Sequence, residues 1–175
     1  MLHALQVLAG LLVAVAMALS LAHALELPGK LRLPREAYVA VQPIYYPGFT
    51  LGGVVGEVGG ILATFLLLVA TPSGGAAFWL LFAALAALLA MHTVYWVLTH
   101  PVPAFWLRCG HVARSSAGFF AFDPMRQNRA VGHPRINWAA LRDRWEYSHV
   151  VRAALALAAL ILLVIAVTDR SLATA

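Results

Sequence analysis

The sequence predicts an all-α integral membrane protein, an antiparallel four-helix bundle forming one domain over residues 1–175, and three observations predict it. First, 62% of the residues are apolar and only 11% charged, a composition outside the range of soluble domains. Second, apolar segments recur at 4–27, 48–71, 76–99 and 138–167. Each can cross a hydrocarbon core about 30 Å thick, which takes about 20 helical residues. Third, eleven of the twelve Lys and Arg residues fall between Lys30 and Arg152, on or beside the two longer connections. The positive-inside rule makes those connections cytoplasmic and both termini outward-facing, N-out/C-out, with the bacterial inner membrane as the expected location.

The elements follow in order. The first apolar segment has no basic residue before it, so it reads as a span rather than a signal peptide. Pro28 disfavours helix at Leu27, so helix one is expected to end there. Residues 28–47 carry Pro28, Pro34, Pro43 and Pro47 around Tyr45 and Tyr46 and read as an interfacial loop. Helix two starts near Pro47, and its Gly52, Gly56 and Gly60, spaced by four, allow close approach to a neighbour. The "TPSGG" run at 71–75 is an outer turn. Pro101 and Pro103 end helix three. The connection from Val102 to Asn137 alternates aromatic residues with arginines, as a cytoplasmic interfacial segment does. Asn137 is the expected N-cap of the last helix.

The net charge of +5 sits beside spans and among Trp106, Phe119, Phe120, Trp138 and Trp145, which favours anionic lipid headgroups over nucleic acid as the partner. The single cysteine, Cys109, excludes an internal disulfide, a thiolate cluster and a CxxCH haem attachment. A metal here must use histidine and carboxylate.

Ionisable residues inside the spans gather at the cytoplasmic ends: His23 and Glu26, Glu57, His92, and Glu146, His149 and Arg152. At about 1.5 Å rise per residue they fit one layer about 14 Å deep. Residues three apart share a helix face, so His23 with Glu26, and Glu146 with His149, each present two ligand-capable groups together. Dinuclear carboxylate bundles use such Glu-x-x-His pairs with single glutamates from the other two helices. His23, Glu26, Glu57, His92, Glu146 and His149 therefore form a candidate ligand set for a mono- or dinuclear iron, zinc, manganese or copper site. Haem b held by two of His23, His92 and His149 is the second cofactor reading, and a cofactor-free site the third. The structural alternative pairs Glu57 with Arg152 as a lock between helices, with Glu26 and Glu146 reaching water. Buried charge in a span is costly enough to favour a functional layer.

The stretch "RWEYSHVVRAALALAALILL" resembles the terminal W-x-x-x-H-x-x-R helix of the small four-helix membrane proteins grouped with the anthrone oxygenases. "LPREAYVAVQPIYYPGF" and "YWVLTHPVPAFW" resemble that family's two cytoplasmic-side signatures, with Pro103 where an asparagine is usual. The resemblance covers most of the chain in order and length. It implies oxygen insertion into a tricyclic phenolic substrate without a dedicated cofactor, with Trp145, His149 and Arg152 in the site. A histidine would serve as base and arginine would stabilise the anion.

The expected function is thus a membrane oxidoreductase or oxygenase acting on a lipophilic, aromatic or quinone-like substrate from the bilayer, with His149, Arg152 and His92 as catalytic candidates. The competing class is a non-catalytic membrane subunit or a small transporter whose polar layer is a helix lock or proton path, and for either class the expected protein partner is a membrane complex or a second copy in a homo-oligomer. A transporter usually shows an internal repeat, and the sequence shows none.

Overall fold

The structure, a computed structural model, describes residues 1–103, Phe122 and residues 137–168. Every regular element among the described residues is helical: α1 (Leu2–Lys30), α2 (Arg35–Val41), a 3-10 turn (Gln42–Tyr45), α3 (Gly48–Ala70), α4 (Ala76–Val94) running on into a π turn (Tyr95–Thr99), and α5 (Trp138–Thr168). Four of these, α1, α3, α4 with its π turn, and α5, are long and apolar enough to cross a membrane. Most of the connection between Val102 and Asn137, with Trp106, Cys109, His111, Phe119, Phe120 and His133, lies outside the described residues.

The burial pattern reverses that of a water-soluble protein. Leu11, Leu62, Trp79 and Ile161 are each at least 50% exposed, while Ala9, Ala63, Ala84, Ala156, Ala159 and Ala166 are buried. Small residues inside let helices approach where no water drives them together. Helix α1 packs on α3 and α5, and α4 packs on α5 and, less extensively, on α3.

The glycine stripe of α3 brings it close against α1. A Cβ placed on Gly56 would stand 2.9 Å from the Ala16 nitrogen and 3.1 Å from the Leu12 carbonyl oxygen, both main-chain atoms. At Gly60 it would meet Val13 Cγ2 at 3.1 Å. Asn137 caps α5 as its position predicts, its Oδ1 accepting the Ala139 N–H at 3.0 Å. In the 71–75 turn Gly74 takes φ +95°, a conformation glycine adopts without a Cβ clash.

Two segments depart from the sequence reading. Helix α1 does not stop before Pro28 but continues through it to Lys30. In a last turn a proline removes only one helical hydrogen bond. The extra turn buries Lys30, which is 5% exposed, among polar partners that the loop reading would have left apart. The segment 28–47 is likewise not a bare interfacial loop. Helix α2 and the 3-10 turn fold back so that Tyr38 is fully buried against Val102, Leu141 and Trp145.

Gly56→Val should destabilise the protein in detergent by about 1–3 kcal/mol, because main chain faces main chain and neither side chain can give way. Gly10→Ala, where an added Cβ meets nothing within 4 Å, should not lower the thermal unfolding temperature, since alanine suits a helix interior better than glycine.

Candidate functional site

The seven ionisable residues of the predicted layer come together in two hydrogen-bonded clusters joined by a histidine stack. The first cluster centres on Glu57 of α3. Its Oε2 accepts Arg152 Nη2 of α5 at 2.5 Å, and its Oε1 accepts His92 Nδ1 of α4 at 2.9 Å. Trp96 donates its indole N–H to His92 Nε2 at 2.9 Å. An indole nitrogen only donates, so the proton of His92 is on Nδ1, where it meets the carboxylate. Arg152 also donates through Nη1 to His149 Nδ1 at 3.3 Å, and its guanidinium lies 5.0 Å from the centre of the Tyr95 ring.

Lys30, the residue carried in by the last turn of α1, organises the second cluster. Its ammonium reaches Glu26 Oε2 at 2.9 Å, His23 Nδ1 at 3.0 Å and Glu146 Oε2 at 3.4 Å. Tyr38 donates to the other Glu146 oxygen at 2.7 Å, and Tyr45 donates to Glu26 at 2.6 Å. Burial, then the Glu146 carboxylate, pushes the Tyr38 phenol up from its ordinary range. Burial and the hydrogen bond to Glu26 do the same to Tyr45. Both phenols therefore stay protonated and act as donors. Glu146 is fully buried, whereas Glu26 is 45% exposed, so the cluster runs from the interior to the surface.

His23 and His149 join the clusters, their rings stacked with centroids 4.0 Å apart at 20°. Trp145 stands edge-on, 4.8 Å from His149 and 6.0 Å from His23. The π turn adds a tie to α5: Thr99 and Ser148 share a hydrogen bond of 2.8 Å, and Arg144 donates to the Val97 and Leu98 carbonyls at 2.5 and 3.1 Å. A π turn frees carbonyls that an α-helix would pair internally.

A cleft of about 680 Å3, counted to its open mouth, runs down to this layer. His23, Tyr45, Glu57, Tyr95, His149 and Arg152 line it, with apolar walls that include Val54 and Val58. Both valines are exposed, so the cleft opens on the apolar flank of α3. In its walls two buried nitrogens, His149 Nε2 and Arg152 Nε, have no hydrogen-bond partner among the described residues.

The six histidine and glutamate residues do not fit the metal set that their spacing suggests. Both oxygens of Glu57 are taken by Arg152 and His92, and both of Glu146 by Tyr38 and Lys30. A cation stands on each buried carboxylate, where a second cation would be repelled. Among the described residues no group of three or more His, Cys, Asp and Glu could hold a metal ion. Haem b fares no better with His23 and His149, since axial ligation needs nitrogens facing one another across an iron and these rings lie face to face.

Sequence reasoning missed Lys30, Tyr38 and Tyr45 as partners. For Lys30 a signal existed: it lies seven residues after His23 and four after Glu26, on the same helix face.

Lys30→Met should destabilise the protein by about 3–5 kcal/mol, because Glu146 is left buried without its cation. Adding Glu146→Gln, which keeps the acceptor for Tyr38 and removes the charge, should recover most of that loss in thermal unfolding.

Comparison with protein-family models, with curated proteins and with solved structures finds no match for the chain.

Proposed function

We propose that the protein is an integral membrane oxygenase, an antiparallel four-helix bundle with both termini outward and the polar layer near the cytoplasmic face, acting on a lipophilic aromatic substrate without a metal. The four apolar helices support the membrane reading, and the basic connections support the orientation. The antiparallel arrangement draws support from the register of α1 and α3: Gly52 meets Leu19, Gly56 meets Ala16 and Gly60 meets Val13, one number rising as the other falls.

One observation carries the functional reading: an apolar-walled cleft, open on the flank of α3, ends in an arginine and a histidine that each keep a buried nitrogen without a partner among the described residues. A pure helix lock has no need of the opening or of the spare nitrogens. A flat substrate entering from lipid fills the cleft and sets a carbonyl or phenolic oxygen against Arg152. Buried donors aimed at developing negative charge are the strongest lever such a site has. When the substrate loses a proton, the anion pairs with Arg152 and the proton passes to Glu57, the carboxylate on the same guanidinium. The cleft then gains no net charge. Oxygen chemistry rests on the resemblance of the last helix to the anthrone oxygenases. For a methylene between two aromatic rings, the carbon loses both hydrogens and keeps one atom of dioxygen as a carbonyl. The other oxygen atom leaves with the two hydrogens as water, so the methylene is oxidised, dioxygen is reduced, and no outside reductant is needed.

The helix-lock reading is favoured by the Glu57–Arg152 pair with His92, which ties three helices whatever the substrate. Dioxygen uptake with anthrone, in detergent or nanodiscs, separates the two. The oxygenase reading expects one dioxygen consumed per anthrone. It also expects Arg152→Lys, which keeps a cation for Glu57 but loses the planar fork, to lower the rate by about 10²-fold. Uptake no faster than without protein, over a range of tricyclic phenols, leaves the lock.

A further inference from the structure

The histidines of the cleft are held by their neighbours in a defined tautomer, and that tautomer decides what they can do. Arginine and an ammonium group offer only donors. The nitrogen facing each must therefore be the bare acceptor nitrogen of a neutral imidazole. For His149 that nitrogen is Nδ1, 3.3 Å from Arg152 Nη1. For His23 it is also Nδ1, 3.0 Å from the Lys30 ammonium, whose charge Glu26 and Glu146 secure at 2.9 and 3.4 Å. In each ring the single proton then sits on Nε2.

We infer that His149 serves the cleft as a hydrogen-bond donor through Nε2–H rather than as a base, and that Arg152 is the positioning residue that keeps it so. Three observations meet here. His149 lines the cleft, its Nε2 is buried with no partner among the described residues, and the guanidinium of Arg152 occupies its other nitrogen. To act as a base at Nε2, the ring would have to carry its proton on Nδ1, pointing at the guanidinium. The two stacked rings add a second constraint, since protonating either one fully would set an imidazolium between Lys30 and Arg152, 4.0 Å from its neighbour ring.

The ligand this arrangement takes is an oxygen acceptor, a quinone-type carbonyl or a phenolate, held jointly by His149 Nε2–H and Arg152 Nε–H. This rests on the proposed reading of the cleft for its substrate, and it reassigns the base from histidine to Glu57. His92 is the internal contrast: the Trp96 indole holds its Nε2 and Glu57 receives its Nδ1–H, so it takes the opposite tautomer.

The test is 15N NMR of histidine-labelled full-length protein in detergent, with each ring assigned by a His→Gln variant, beside the binding of a dihydroxyanthraquinone followed by its visible absorption. The expected spectrum has His149 as the neutral Nε2–H form and His92 as Nδ1–H, with the His149 preference lost in Arg152→Met. In binding, His149→Gln, whose amide N–H stands in for Nε2–H but which cannot be a base, should stay within about threefold of the unchanged protein. His149→Leu should bind at least about tenfold more weakly. An Nδ1–H or doubly protonated His149 overturns the assignment, as does a Gln variant no better than Leu. No binding by the unchanged protein would instead sink the substrate reading, with the tautomer still decided by NMR.

Discussion

The cluster that carries the cleft's arginine and histidine depends on one buried ion pair, Arg152 on Glu57 at 2.5 Å. Both side chains are buried, on helices long and apolar enough to cross a membrane, where an unpaired charge is least tolerable. Removing one partner from such a pair leaves the other uncompensated, which costs more than the pair contributes. The remaining polar groups are arranged to satisfy what the pair leaves over. His92 fills the second oxygen of Glu57, Trp96 fills the second nitrogen of His92, and His149 takes a further N–H of the guanidinium. Among the buried polar atoms left without a partner among the described residues, Arg152 Nε, His149 Nε2 and the Thr50 hydroxyl belong to residues that line the cleft. A network that fills both oxygens of Glu57 and leaves an arginine and a histidine nitrogen spare at one opening has the form of a binding site.

Packing in the apolar half makes this arrangement attainable. Alanines and the α3 glycines bring main chains together, so that α1, α3 and α5 hold their polar ends within hydrogen-bond distance rather than a side chain's width apart. The π turn then swings Thr99 onto Ser148, and places Tyr95 in the cleft beside Arg152. Local irregularity at the end of α4 thus sits where the site needs it, in keeping with the use of π turns at functional positions.

Much of this was legible in the residues themselves. Charges inside apolar runs are conspicuous, and helical rise alone gathered His23, Glu26, Glu57, His92, Glu146, His149 and Arg152 into one layer. Asn137 and the Gly56 stripe were readable because a cap and a close approach each demand particular residues. The spacing of Lys30 from His23 and Glu26 was overridden by Pro28, which carries a strong stop signal that only burial beside Glu146 and His23 offsets. Tyr38 was hidden in a proline-rich stretch whose folding back is set by tertiary contacts with Trp145 and Leu141, which leave no periodic trace. The metal reading met chemistry that spacing does not encode: Glu and His three apart look the same whether they face an ion or a lysine.

The most direct test of the account is a double-mutant cycle on the central pair, Glu57→Gln and Arg152→Met, read by reversible unfolding in mixed micelles. Each single change should cost about 3–5 kcal/mol, and the double variant should cost less than their sum by at least about 1 kcal/mol, since each single variant strands a buried charge that the double variant removes. Additive losses would mean that the two residues do not depend on each other, and the network built on them would lose its foundation.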